Sequence, residues 1–193
     1  MPLPDIVLPA RQEPLLLPWP VPGRPGGWIQ FDDVRDWRAF IDRLRLDPLV
    51  PDIIGRKFAR AQKLYLLGWL DLDLIKAGEL AALVALELAV TDRYSAHFPR
   101  RRRRFAALLK HMVEIDGLDD ANLPVIARCG GTAIGQLTGA IRPTLAQRRN
   151  AMAHGDPFDG APTGGLLELV RDLIEYAYRD YLAEARSHGA ASG

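Results

Sequence analysis

The chain has one cysteine, Cys129, which rules out an intrachain disulfide and a cysteine-based zinc site and fits a reducing, cytoplasmic setting. Net charge is nearly absent as well, since 25 Lys and Arg against 24 Asp and Glu leave +1. The chain as a whole is therefore not an electrostatic nucleic-acid binder, and affinity for a polyanion must come from local clustering. Long apolar runs are missing. The most apolar stretch, Leu80 to Val90, carries Glu87 and lies between Glu79 and Asp92, so it reads as a core helix rather than a membrane span. The first residues lack a basic region and are broken by prolines, which is not the pattern of a signal peptide. A soluble, cytoplasmic protein without membrane contact is expected. Also lacking are a Gly-rich phosphate loop with a following Lys-Ser/Thr, a His-Glu-x-x-His pair, any internal repeat, and any alternating strand pair bounded by hairpin turn residues. The residues call for no cofactor and no metal.

What is present is an ordinary globular composition, 48% apolar and 25% charged over 193 residues, enough for one domain with a sizeable core. Eight of the 15 prolines fall within the first 25 residues. Proline fixes φ and removes a donor, so residues 1–31 should form neither a helix nor a central strand. Ile6, Val7, Leu15 to Leu17 and Trp19 make this arm too apolar to float free. An extended strap on the body is expected, or an arm that binds a partner. Residues 32–188 read as a single helical domain and 189–193 as a tail. Helical spacing recurs from Asp33 to Arg45, with Asp32 or Asp33 as N-cap, and again from Pro51 to Leu70. The third helix, Asp73 to Ala96, is apolar on more than one face and should be central. A fourth runs from the arginine cluster to Gly117, and a fifth from Thr132 to Gly155 with a kink at Pro143. The fifth should bury one stripe through Ile134, Leu137, Ile141, Leu145 and Met152. The sixth, Gly164 to Ala185, should point Leu166, Leu167, Val170, Ile174, Ala177 and Tyr181 inward. The fold class is all-α, a bundle of five to six helices behind an extended proline-rich N-terminal arm.

The stretch Gln147 to Phe158 ("QRRNAMAHGDPF") concentrates Arg148, Arg149, Asn150 and His154 before Gly155. Cations at a helix C-terminus, followed by a glycine, need no special purpose. The spacing also supports a site. Asn150 and His154 stack one turn apart, whereas Arg149 and His154 diverge by roughly 140° around the axis. One copy of the helix therefore aims arginine and histidine apart, and a groove between two copies would join them. Ala146 and Ala153 would allow that approach. In such a groove, an RNA 2′-hydroxyl could attack its neighbouring phosphate. His154 would serve as base or acid, Arg149 would hold the phosphoryl charge without a metal, and Asn150 would orient either. Glu87, among Leu, Val and Ala, is expected in a core ion pair with an arginine such as Arg148, or as a group tuning Arg149 or His154. Arg100 to Arg104 are a solvated face or, as cations opposing a helix dipole, an RNA-backbone track in which Arg101, Arg102 and Arg103, with Arg148, bind substrate. Gly130, Gly131, Gly135 and Gly139 read as small residues on a helix face. His97, His111 and His188 read as isolated surface or capping residues.

At "RNAMAHG" the chain resembles the HEPN family, whose signature is an arginine, a polar residue that is typically asparagine, a short gap and a histidine. "ELAALVALELAVTDRYSAHF" is similar to the central HEPN helix, and "RRFAALLKHMVEIDGL" to the next. The resemblance covers roughly residues 53–185 and implies a HEPN-like bundle, commonly dimeric through the motif helix. Many members are RNases in toxin–antitoxin, abortive-infection or CRISPR-linked defence systems. Others are non-catalytic RNA-binding or scaffolding modules. Carried over, Arg149 and His154 form the catalytic pair and Asn150 the supporting polar residue. The implied activity is metal-independent endoribonuclease, with a homodimer, RNA and an antitoxin or other protein as candidate partners. The alternative is a non-enzymatic HEPN module for dimerisation, RNA binding or partner binding.

Overall fold

Asp33 starts the helical part of the chain. Its carboxylate accepts the backbone N–H of Arg35 at 2.7 Å and caps α1 (Val34–Arg43). The computed structural model describes residue 3 and residues 6–102, 104–155 and 161–190. Within them α1 is followed by α2 (Asp52–Leu67), α3 (Asp73–Tyr94), α4 (Phe105–Glu114), α5 (Pro124–Cys129), α6 (Ile134–Thr138), α7 (Leu145–Ala153), α8 (Leu166–Ala177) and α9 (Arg179–Ala190). None of these helices is long and apolar enough to cross a membrane. Arg103 and residues 156–160 and 191–193 lie outside the described residues, so the Asp156-Pro157 stop and most of the expected tail are not accounted for.

The mainly helical expectation holds, and α3 is central as its all-round apolarity implied. It packs on α2 and α8 and touches α4 and α7. Ile75, Ala82, Leu83, Ala85, Leu86, Ala89 and Val90 are all buried. Gly78 permits the tight α2–α3 crossing. A Cβ there would lie 2.7 Å from the Tyr65 ring and 3.3 Å from the Ala61 carbonyl.

The fold is mainly helical as the all-α expectation has it, but it includes one small sheet, which corrects the expectation that the chain holds no strand pair. β1 (Leu15–Pro18) and β2 (Trp28–Phe31) form a two-stranded antiparallel sheet with Leu15 opposite Phe31 and Pro18 opposite Trp28. Proline is tolerated because a two-stranded sheet consists only of edges, and Pro18 sits at the strand end. The pattern is nonetheless that of a half-buried strand, with Leu15 and Leu17 inward and Leu16 outward. The hairpin narrows to Val21–Arg24, whose backbones exchange hydrogen bonds of 3.1 and 2.8 Å around Pro22 and Gly23. Pro-Gly, with Gly23 at φ 72°, is the composition a type II turn requires. The arm is fastened to the body through indoles and guanidinia. Trp69 donates to the Pro9 carbonyl at 2.7 Å and Trp19 to the Glu168 carboxylate at 3.1 Å, while Arg38 donates to the Ile6 carbonyl at 2.8 Å.

Two long helices of the sequence reading are each divided. The fifth is not kinked at Pro143 but broken into α6 and α7. Gly139, at φ 99°, closes α6 in the left-handed region, and Thr144 restarts the chain with a capping box. Ile141 falls in that connection and is 41% exposed rather than on the buried stripe. Gly130, Gly131 and Gly139 also sit in connections at positive φ, not on a helix face. The sixth helix is interrupted at Tyr178, where φ −101° and ψ 6° separate α8 from α9. The five aliphatic positions of α8 are buried as expected, but Tyr181, beyond the break, is 39% exposed. The short α5, which places Val125 and Cys129 in the interior, had no periodic signal of its own.

Candidate functional site

Helix α7 carries the arginine–histidine motif. The Thr144 hydroxyl accepts the Gln147 N–H at 3.1 Å, and the Gln147 side-chain oxygen accepts the Thr144 N–H at 2.9 Å, so the first turn is held reciprocally. At the other end His154 is the C-cap, donating its backbone N–H to the Asn150 carbonyl at 3.0 Å, and Gly155 follows at φ 84°. The helix is short of apolar anchorage, since only Leu145 and Ala146 are buried.

Its arginines supply what the apolar face does not. Arg149 reaches α3, where its Nη2 lies 2.6 Å from the Glu87 carboxylate, and its Nη1 donates to the Asn150 side-chain oxygen at 3.1 Å. Arg148 turns elsewhere and donates to the Thr163 hydroxyl at 3.3 Å. The expected pairing of Glu87 with Arg148 is thereby corrected, because Glu87 is bound by Arg149. Nor is Glu87 a core carboxylate, since its side chain is 28% exposed. Arg149, Asn150 and Glu87 are thus brought together, whereas His154 is exposed and has no side-chain bond among the described residues. Ala146 is 6% exposed and packs into its own chain, so it is not open to a second copy as expected; Ala153 is exposed.

The buried carboxylate beside α7 is Glu79, which sequence reasoning missed. It is fully buried on α3 and accepts the backbone N–H of Thr163. Burial pushes its carboxyl up to about 7, against the opposing pull of the Thr163 hydrogen bonds, Lys76 and Arg148. The second Glu79 oxygen and the Arg148 Nε are both buried without a hydrogen-bond partner among the described residues. The signal was present in the sequence. Ile75, Glu79, Ala82 and Leu86 follow the spacing of one buried stripe, while Glu87 is one residue off it.

The arginine run lies before α4 rather than in its first turn. Arg100–Arg102 form a single 3-10 turn, and Arg104 is the extended N-cap residue at φ −91° and ψ 141°. The dipole argument for a bound phosphate therefore loses its premise. Arg101 is exposed and lines an open cleft with His97, Phe98, Pro99, Arg104 and Ala107. For Arg102 only the backbone is described, and Arg103 lies outside the described residues. The run shares no ion pair or hydrogen bond with Arg148, Arg149 or His154 among the described residues. His97 and His111 are not isolated, because their rings stack 5.0 Å apart.

Among the described residues no three His, Cys, Asp or Glu side chains meet in a metal-binding group. No protein-family model matches the chain, and no curated protein or solved structure matches it.

Proposed function

We propose that the chain is a HEPN-type helical protein that cleaves RNA without a metal, in a site completed where two copies of α7 meet. His154 takes the proton of the attacking 2′-hydroxyl or returns one to the departing 5′-oxygen. Arg149 stabilises charge on the phosphoryl oxygens, and Asn150, already bonded to the guanidinium at 3.1 Å, positions it. Arg148 and the arginine run bind the RNA backbone, and Glu87 orients Arg149. A toxin–antitoxin or defence setting, with an antitoxin or another protein as regulator, accords with this chemistry.

The observation that carries the reading is the division of labour on α7. Arg149 is directed toward α3 by Glu87, while His154 stands exposed at the helix end. The two groups leave one helix in different directions, which is the geometry a shared groove resolves. The test is cleavage of several RNAs in EDTA by the wild type and by His154→Ala. The expected result is 2′,3′-cyclic phosphate products from the wild type alone. Equal activity of the two proteins, or inactivity of both at high concentration, sinks the enzyme reading. A strict monomer in solution removes the shared groove.

One observation favours a second reading, a non-enzymatic module of the same family. The Arg149 charge is already engaged by Glu87, so it is less available to a phosphate. Glu87→Gln separates the two. If Glu87 orients a catalytic arginine, the variant cleaves more slowly; if the helix only binds RNA, the variant binds more tightly and neither protein cleaves.

A further inference from the structure

We propose that the pocket beneath the β1–β2 hairpin, lined by Trp19, Phe40, Arg43, Arg128, Glu168 and Arg171, binds a small organic anion with a flat apolar body. None of these residues belongs to α7 or to the arginine run, so the inference goes beyond the reading of that helix and stands without it.

The pocket has a volume of about 370 Å³, within the range that suits a small molecule. The hairpin, the end of α1, α5 and α8 meet there. Its floor is a charged network that is already assembled. Glu168 is buried, and its carboxylate accepts the Trp19 indole N–H at 3.1 Å and an N–H of the Arg128 Nη2 at 2.9 Å. Arg171 reaches the same carboxylate at 3.5 Å and pairs with the buried Asp172 at 2.6 Å. The other Asp172 oxygen accepts the Val125 N–H at 2.8 Å. The hairpin is seated closely on the start of α8, since a Cβ on Gly165 would lie 2.6 Å from the Pro20 ring. A site held on both sides has little freedom to lose when a ligand enters.

The composition of the walls selects the ligand. Three guanidinium groups, of Arg43, Arg128 and Arg171, stand with two carboxylates, of Glu168 and Asp172, which leaves one positive charge in excess. Arg43 holds that excess. Its guanidinium lies 5.9 Å from the Phe40 ring centroid and has no carboxylate partner among the described residues, and the neighbouring Asp42 is taken by Arg45. Arg128 uses Nη2 on Glu168, and a guanidinium has further N–H donors on its other nitrogens. A carboxylate or phosphate held by Arg43 and Arg128 completes the charge balance. Beside the cations the walls are apolar and flat. Trp19 and Phe40 meet edge to face at 5.0 Å, and Pro20 and Ile29 close the hairpin side. The cavity of about 410 Å³ near Tyr181 lacks the same feature, because its Arg45 and Arg56 are paired with Asp42 and Asp52.

The test is an NMR titration of the isotopically labelled full chain, followed through the Trp19 indole N–H, whose resonance is assigned with Trp19→Phe. Phenyl phosphate and benzoate present the two anionic groups on a ring, whereas inorganic phosphate and benzyl alcohol present the anion and the ring separately. At least one ring anion should shift the Trp19 signal saturably, with a Kd on the order of 1 mM, while the exposed Trp28 indole stays in place. Which of the two binds more tightly separates phosphate from carboxylate ligands. Arg43→Ala, at an exposed position, should weaken binding about tenfold. Arg60→Ala, on α2 and outside the pocket, should leave it unchanged. The proposal is overturned by the lack of a saturable shift at Trp19, or by an Arg43→Ala protein that binds as the wild type does. Binding of inorganic phosphate or benzyl alcohol as tight as that of the ring anions overturns it equally.

Discussion

Replacing Glu79 with glutamine isolates the most strongly perturbed carboxylate beside α7. The side chain is fully buried, and burial raises its carboxyl from an ordinary 4.5 to about 7. That gap corresponds to about 3 kcal/mol of preference for the protonated form in the folded state. The sign follows from proton linkage. The folded protein holds the proton more tightly than the unfolded chain, so this contribution is complete below about pH 4.5 and is lost as pH rises through about 7. Glutamine keeps an oxygen for the Thr163 N–H and cannot ionise, so the variant lacks the dependence. Urea unfolding of both proteins from about pH 4 to about pH 8 gives the difference directly. Wild-type stability should fall by about 3 kcal/mol relative to the variant across that range, equivalent to a relative Tm shift of roughly 6–12 °C for a chain of this size. A difference that stays flat within about 0.5 kcal/mol refutes the claim that burial outweighs the Thr163, Lys76 and Arg148 contributions and raises the Glu79 carboxyl.

Three further outcomes are expected. Gly78→Ala forces a Cβ to 2.7 Å from the Tyr65 ring and should cost about 1–3 kcal/mol in urea unfolding with the denaturant slope unchanged. Trp19→Phe removes the 3.1 Å bond to Glu168 but leaves that carboxylate its Arg128 partner at 2.9 Å, so the loss should be about 1 kcal/mol. A double-mutant cycle on Arg149 and Glu87, both just over a quarter exposed, should give a coupling of about 1 kcal/mol that shrinks in salt, and no coupling would mean that the pair does not hold α7.

Helical periodicity located α1, α2, α4 and α8 because each buries one stripe against its neighbours, and α3 because its apolarity on more than one face marks a central helix. It failed where connections decide the structure. The hairpin was not expected because no alternating strand pair bounded by hairpin turn residues stood out, although the eight prolines argued only against a helix or a central strand and leave a two-stranded pair open. Pro22-Gly23 was the legible signal, a turn dipeptide between Leu15–Leu17 and Trp28–Phe31. The break between α6 and α7 was also legible. Gly139 can end a helix and Thr144 with Gln147 can begin one, but a continuous apolar count across Pro143 concealed both. At the site, composition singled out Glu87 as the carboxylate among apolar residues. The helical phase instead places Glu79 inside and Glu87 at the boundary, where Arg149 reaches it. Pairings such as Arg149–Glu87 and Arg148–Thr163 join segments distant in sequence and have no one-dimensional signature.

Those pairings change what a substitution on α7 can mean. The helix buries Leu145 and Ala146 and packs Met152 partly against the core, and Arg148 bound to Thr163 and Arg149 bound to Glu87 add to that limited anchorage. An arginine variant therefore removes a tether and a candidate phosphate ligand together, and loss of function at Arg149 does not distinguish a displaced helix from a missing cation. Asn150 is compromised in the same way, because its side-chain oxygen accepts from Arg149. His154 differs from both. It is exposed, its contacts to Asn150 and Ala151 run through its backbone, and its side chain holds no partner among the described residues. Alanine there leaves the capping geometry to the main chain and to Gly155. A change in RNA cleavage on His154→Ala, with thermal stability preserved, would report chemistry at the imidazole rather than the architecture of the helix that carries it.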